Sequence, residues 1–127
     1  MFGWTGTILN IDLTRRAYTT HRPSADFYHR FMGGKGIAGQ ILRPHAEKSW
    51  DHPDMPLIFA TGPLTASGLQ TSNRFSVSTK SPLTGTVLDA NSGGWWGMQF
   101  KRTGYDVLIV RGAAASPVMV EITPDGT

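Results

Sequence analysis

The stretch Asn91-Ser92-Gly93-Gly94 contains residue types that could bind an anion. It precedes a predicted helix, whose first backbone N–H groups have no partner within the helix and whose dipole favours negative charge. Two adjacent glycines would let a ligand approach the backbone closely. The alternative is structural: Asn91 or Ser92 caps the helix, and the glycines shape the bend before it. The residues alone leave both interpretations open.

A predicted strand near residues 75–79 has one apolar and one polar face. Phe75, Val77 and Thr79 alternate with polar residues, as expected for a pleated strand. The polar face consists of Arg74, Ser76, Ser78 and Lys80. It is a candidate ligand surface, although an ordinary solvated face would show the same pattern.

Residues 34–39, with the sequence GKGIAG, match the dinucleotide-binding pattern G-x-G-x-x-G. That motif requires a strand in front of it, so that the turn presents a helix N-terminus to a pyrophosphate. The preceding residues 26–32 indicate a helix instead. We therefore interpret these glycines as a sharp helix–helix bend or a closely packed backbone.

The sequence contains no further recognisable catalytic pattern. A phosphate-binding Walker loop and a nucleophile elbow are absent, and the four histidines show no metal-ligand spacing. The nine carboxylates are dispersed, so we assign no catalytic residue. The chain has no cysteine, which excludes disulfides, thiolate zinc sites, a cysteine nucleophile and cysteine-ligated iron–sulfur clusters within it.

The chain has 127 residues, enough for one domain, and a formal charge of +3 spread along its length. This charge suits an anionic partner, either a phosphorylated small molecule or a nucleic acid. The basic residues lack the clustering of a nucleic-acid site, so we expect no such partner. No signal peptide or membrane-length apolar run is present. We expect a cytoplasmic protein without membrane contact.

Hydrophobic periodicity and turn residues predict more strands than helices. The predicted strands cover residues 7–13, 17–21, 57–60, 75–79, 86–90, 105–110 and 118–122. One helix starts at a Ser24 cap and ends at Gly33, and two others cover residues 37–42 and 95–103. Most connections are too short for parallel crossovers, so we expect an α+β domain with largely antiparallel sheets. A turn signal over residues 123–127 indicates a further strand beyond it.

Several motifs together resemble the N-terminal domain of the aldehyde:ferredoxin oxidoreductase family. The members of this family are tungsten or molybdenum enzymes with a bis-pterin cofactor. The motifs are residues 61–65 (TGPLT), Arg74, 79–85 (TKSPLTG), 90–94 (ANSGG) and 104–106 (GYD). Residues 3–6, 10–14 and 33–36 are similar to the family as well. The resemblance extends over essentially the whole chain. It implies a mostly antiparallel, two-sheet β domain with a few short helices, on which the metallopterin lies.

The resemblance also implies which residues bind the cofactor. Arg74 matches the family arginine that contacts the metallopterin, and Asn91 and Gly93 match residues of the pterin-binding loop, which also includes Ser92 and Gly94. The carbonyl of Asn91 would contact a magnesium ion that bridges the two pterin phosphates. An arginine and close backbone approach suit a flat anionic ligand. The adjacent Trp95 and Trp96 are expected to pack under the cofactor.

In the family, an aldehyde is oxidised to an acid and two electrons pass through a [4Fe–4S] cluster to ferredoxin. The four cysteines of that cluster lie in later domains, whereas this chain has no cysteine. We therefore expect residues 1–127 to form a single metallopterin-binding domain, the N-terminal fragment of a larger enzyme that is inactive by itself. The alternative is a stand-alone small subunit or accessory protein that docks on a separate catalytic subunit.

Overall fold

A computed structural model describes residues 3–125. In this part of the chain the strands are β1 (Ile8–Asp12), β2 (Ala17–His21), β3 (Leu57–Thr61), β4 (Phe75–Lys80), β5 (Val87–Ser92) and β6 (Val107–Arg111). The helices are α1 (Ala25–Phe31), α2 (Gly34–Leu42) and α3 (Trp96–Arg102), and a short 3₁₀ turn over Arg43–His45 follows α2. None of these helices is long and apolar enough to cross a bilayer.

The six strands form one mixed sheet in the order β2-β1-β6-β3-β4-β5. Its pairings are antiparallel except for the parallel pair β1–β6. The predicted α+β class with largely antiparallel pairing is therefore confirmed. The expectation of two sheets differs from the structure in the region described, because β6 pairs with both β1 and β3 and so joins the strands into one sheet.

Helices cover both faces of the sheet. One core cluster includes Tyr28 of α1 and Ile37 of α2, packed on Ile8 and Ile58. The other includes Phe100 of α3, packed on Leu9 and other residues of the central strands. Neighbouring residues of β1 are therefore both buried, although the sequence pattern predicted a strand buried on one face only.

The bend between α1 and α2 confirms the structural interpretation of the glycines. The hydroxyl of Ser24 accepts a 3.3 Å hydrogen bond from the N–H of Phe27 and caps α1, as predicted. A methyl group on Gly33 would lie 2.7 Å from the carbonyl oxygen of Thr61, and one on Gly36 would overlap the carbonyl oxygen of Phe31. The segment is thus a closely packed helix–helix bend, and a helix instead of a strand precedes it.

The middle of the polar face of β4, Ser76 and Ser78, is buried. The hydroxyl of Ser76 donates a 3.0 Å hydrogen bond to the side-chain oxygen of Asn91, and that of Ser78 donates to Asp89 at 3.0 Å. α2 packs over this part of the sheet, and a methyl group on Gly34 would lie 3.1 Å from the Ser76 hydroxyl. Because helix backbone and cross-strand hydrogen bonds occupy it, this middle part of the face is neither solvated nor available to a ligand, whereas Arg74 at the end of the face is exposed.

The strand predicted over residues 118–122 is wrong. This segment has no ladder pairing, and the structure assigns only an isolated bridge at Thr123. Ile122 packs against the core cluster that contains Phe100, whereas residues 118–121 are exposed. The β propensity of a segment does not by itself produce a strand, because strand formation depends on tertiary context.

Substitutions of two glycines in α2 test the packing of the bend. We expect Gly36→Ala to lower the free energy of unfolding by about 1–3 kcal/mol, because an added methyl group would force packed backbone apart. Gly39→Ala is the matched control, since a methyl group there meets nothing within 4 Å. It should raise the free energy of unfolding by up to about 1 kcal/mol through helix propensity. Urea denaturation measures both, and equal effects would contradict the described packing.

Candidate functional site

The register of the β4–β5 pair brings two of the predicted site residues side by side. Phe75 is opposite Ser92 at the end of this ladder, and Arg74 and Gly93 are the next residues beyond it on the two strands. They line an open pocket of about 360 Å³ with Gly94 and Trp95. Thr71 and Asn73 complete its wall. The arginine and both glycines named from the sequence therefore share one pocket.

Arg74 is exposed at this pocket. Among residues 3–125, no carboxylate lies within ion-pair distance of its guanidinium group. An arginine without a carboxylate partner presents its N–H donors in the planar geometry that matches a phosphate or carboxylate. The pocket thus offers one fixed positive charge to an anionic group.

The two glycines are not required by internal packing. A methyl group on Gly93 or Gly94 would meet nothing within 4 Å. Gly94 has a φ of +88°, a conformation that side chains disfavour, which explains glycine at that position. Gly93 has neither a positive φ nor a close neighbour within the described chain. Its missing side chain leaves bare backbone open at the surface beside Arg74.

Asn91 and Ser92 lie at the end of β5 instead of in a loop, and neither is among the residues that line the pocket. The side chain of Asn91 accepts from Ser76 at 3.0 Å and donates to Asp89 at 3.2 Å. α3 begins without a side-chain cap. The capping interpretation of Asn91 and Ser92 is therefore wrong, because the side chain of Asn91 bonds to Ser76 and Asp89, and the hydroxyl of Ser92 donates to the carbonyl oxygen of Gly93.

The two tryptophans behave differently. Trp96 packs among aromatic rings, with its ring stacked on Phe100 at 5.1 Å and tilted against Phe75 at 4.5 Å. Trp95 is 75% exposed at the pocket. Next to them, a methyl group on Gly97 would lie 3.0 Å from the carbonyl oxygen of Asn73, so α3 packs tightly on the residues that lead into β4.

A buried lysine connects α3 to two loops. Lys101 is only 8% exposed. Its ammonium group donates 2.6 Å hydrogen bonds to the carbonyl oxygens of Gly3 and Gly62, and it lies 3.6 Å from a carboxylate oxygen of Asp106. Burial lowers the pKa of Lys101, and the negative charge of Asp106 opposes that shift.

Asp106 is the second centre of this network and is 1% exposed. Its carboxylate accepts hydrogen bonds from the N–H and hydroxyl of Thr5 and from the N–H of Gly6, at 2.8–3.1 Å. Its carbonyl oxygen accepts from the N–H and hydroxyl of Thr61. Burial and the charge of Asp106 also raise the pKa of Tyr28, which keeps that phenol neutral.

Sequence reasoning did not find this pair as functional. Lys101 falls on the inner side of α3 and Asp106 directly precedes β6, but their partners are up to 101 residues away in sequence. The available signals were the charged residue in front of a buried apolar strand and the place of Asp106 in the motif at residues 104–106. Neither Lys101 nor Asp106 lines the pocket of Arg74. The pair supports the site from behind it, because Lys101 holds the loop after β3 through the carbonyl oxygen of Gly62.

The arrangement can bind an anionic, flat ligand against bare backbone. No cluster of three or more histidine or carboxylate side chains suited to a metal ion occurs within residues 3–125. The pocket contains an arginine, an asparagine and a threonine but no carboxylate or histidine. Its side chains therefore suit binding and orientation, and they offer no proton donor or acceptor of suitable pKa.

Comparisons with known proteins agree with the resemblance. The family described as "Aldehyde ferredoxin oxidoreductase, N-terminal domain" matches residues 8–127. A tungsten-containing aldehyde ferredoxin oxidoreductase of Pyrococcus horikoshii is 38% identical over 127 residues, which covers 98% of this chain and 21% of that protein. The aliphatic sulfonate oxidoreductase, WOR-like subunit, of Pyrococcus furiosus is 33% identical over 98% of this chain and 20% of its own length.

A solved structure has a similar fold. It is the active site complex BamBC of benzoyl coenzyme A reductase with 1,5-dienoyl-CoA, with a TM-score of 0.93 and 32% identity. The match covers 98% of this chain and 19% of that chain. The chain thus spans about a fifth of the length of the curated relatives it matches.

Replacing the buried lysine tests the network. We expect Lys101→Met to lower the free energy of unfolding by about 3–5 kcal/mol, because it leaves the carboxylate of Asp106 buried without its cation. Lys35→Met is the control, since Lys35 is exposed and forms a 3.7 Å surface pair with Asp89. That control should cost less than about 1 kcal/mol. Denaturant titration measures the free energy of unfolding of both variants, and a similar decrease in the two would contradict a buried role for Lys101.

Proposed function

The chain belongs to the aldehyde ferredoxin oxidoreductase family, as its N-terminal domain, and we propose that it forms the metallopterin-binding floor of a larger oxidoreductase. The observation that carries the proposal is the pocket that Arg74 and Gly93 line together. Within residues 3–125 the guanidinium group has no carboxylate partner, and no close contact there explains why position 93 lacks a side chain. An anionic ligand lying on the backbone would use both.

In this proposal the ligand is a tungsto- or molybdo-bis-pterin. Arg74 pairs with its anionic groups, Gly93 and Gly94 admit it to the backbone, and Asn91 and Ser92 hold the adjoining end of β5. The backbone carbonyl of Asn91 would contact a magnesium ion at the pterin phosphates. When bound, the metal–pterin group supplies the two-electron oxidation of an aldehyde to an acid. The residues of this chain bind and orient it, and we assign none of them a catalytic role.

The proposal agrees with the chemistry of the pocket walls. The exposed Trp95 extends the pocket with an apolar surface, which suits a planar heterocycle. The formal charge of +3 favours an anionic cofactor over a cationic one. The pocket is open on one side, so we propose that other domains of the same enzyme close it and carry the [4Fe–4S] cluster that passes electrons to a ferredoxin-type acceptor.

Substrate choice is proposed to lie outside this domain. Relatives that share it are named for aldehyde oxidation, for aliphatic sulfonate oxidation and for benzoyl coenzyme A reduction. One domain that accompanies three different substrates supports a role in cofactor binding that is independent of substrate. Aldehyde oxidation is the reaction we propose for this chain, on the basis of its tungsten-containing relatives.

We expect the natural gene product to be several times longer than residues 1–127, because the chain spans about 20% of the length of its relatives. The reading frame should continue and encode a four-cysteine cluster motif. Sequencing the gene and measuring the mass of the purified protein test this. A stop codon directly after Thr127 would instead favour a small subunit that docks on a separate catalytic subunit.

Replacing the arginine tests the proposed contact. In the complete enzyme, Arg74→Ala should weaken cofactor binding roughly tenfold to a hundredfold, because it removes a charge-assisted hydrogen bond to an anionic group. Tungsten, molybdenum and pterin content per protein provide the measurement. Arg15→Ala is the control, since Arg15 is exposed in the turn between β1 and β2. Unchanged cofactor content in Arg74→Ala would refute the contact.

Replacing Gly93 separates ligand contact from folding. We expect Gly93→Ala to leave the free energy of unfolding of the cofactor-free protein within about 0.5 kcal/mol of the original, because the added methyl group meets no protein atom. The same variant should contain less cofactor, because the methyl group occupies the space of the ligand. Gly39→Ala, equally free of contacts, should retain full cofactor content. Equal occupancy in both variants would argue against close approach at Gly93.

A further inference from the structure

Thr65 is a buried residue next to the candidate site but not in it. Its side chain is 3% exposed and does not line the pocket of Arg74. Its hydroxyl accepts a 3.2 Å hydrogen bond from the N–H of Gly62 and donates a 3.2 Å hydrogen bond to the carbonyl oxygen of Arg74. The hydroxyl of Thr65 thus joins two separate backbone segments, because it accepts a hydrogen bond from one and donates a hydrogen bond to the other.

Both segments are held at other points. The carbonyl oxygen of Gly62 accepts from the buried ammonium group of Lys101 at 2.6 Å. The side chain of Asn73 accepts from the N–H of Ala66 at 3.1 Å, which ties the far end of the same loop to the residue before Arg74. Residues 62–66 and 73–74 are therefore connected through side chains whose own positions are fixed.

We infer that Thr65 is a positioning residue, whose hydroxyl fixes the backbone of Arg74 and so places the base of its side chain in the pocket that Gly93 and Gly94 also line. The inference rests on the proposed function, because the position of Arg74 matters only if Arg74 binds the cofactor. Arg74 is exposed and has no ion pair in residues 3–125 to hold its side chain. Of the contacts described, those to its backbone therefore fix where the side chain starts.

The hydroxyl, and not the bulk of the side chain, is the part that acts. Thr65→Val keeps the size and branching of threonine, but it leaves the carbonyl oxygen of Arg74 and the N–H of Gly62 without this partner. Unpaired buried backbone groups shift to find water or another partner. Thr65→Ser keeps the hydroxyl and removes a methyl group. The two variants therefore separate hydrogen bonding from packing.

The experiment uses the complete enzyme with five variants: Thr65→Val, Thr65→Ser, Arg74→Ala, the double variant Thr65→Val/Arg74→Ala, and Thr19→Val as an exposed-threonine control. Metal and pterin content, the rate constant of cofactor release and the melting temperature of the cofactor-free protein are measured for each. We expect Thr65→Val to release cofactor roughly tenfold faster, as when a partner that orients a ligand-binding group is lost. Thr65→Ser and Thr19→Val should release it at the original rate.

The double variant distinguishes positioning from a general structural role. If Thr65 acts through Arg74, the double variant releases cofactor no faster than Arg74→Ala alone, because the two changes remove one interaction. Multiplied effects in the double variant, or equal losses in Thr65→Val and Thr65→Ser, would overturn the inference. If Arg74→Ala itself leaves release unchanged, the proposed contact fails. If only Thr65→Val leaves it unchanged, the positioning role fails and the contact stands.

Discussion

The buried contact between Lys101 and Asp106 is the interaction on which the rest of the structure depends. The lysine binds carbonyl oxygens of the N-terminal segment and of the loop after β3, while the aspartate binds N–H groups of the N-terminal segment. Burying either charge alone would cost desolvation free energy. The attraction between the two charges and their hydrogen bonds to the backbone together offset that cost. Four distant parts of the chain therefore meet at one point, beside the start of β6.

The candidate site is built on the outer part of this framework. β5 is an edge strand, and the last residues of its ladder with β4 set which residues lie across from each other. α3 packs against the entry to β4 through Gly97 and places Trp96 among aromatic rings. The pocket residues are exposed, apart from the half-buried Asn73, whereas Thr65 and Lys101 behind them are buried. Binding surface and support are thus separate sets of residues in this domain.

Local signals were sufficient for the elements whose stability is local. The hairpin of β1 and β2 followed from alternation and a turn, and the Ser24 cap followed from residue type. Tertiary contacts decided the rest. The polar residues of β4 looked solvated because the sequence does not reveal that Ser76 and Ser78 bond to β5 beneath α2.

The site was partly predictable for the same reason. Motifs identified Arg74 and the two glycines, but their apposition depends on strand register, which is a long-range property. Residues 118–122 have the composition of a strand, yet pairing needs a free edge, and composition does not report where edges are.

The position of β6 between β1 and β3 has a consequence for the order of folding. The β1–β2 hairpin and the β3–β4–β5 meander are each formed from neighbouring strands, but they share no pairing until β6, about a hundred residues after β1, enters between them. Closing so long a loop costs conformational entropy before the stabilising contacts form. We therefore expect the two halves to become one cooperative unit only after β6 has been synthesised and has paired with both of them.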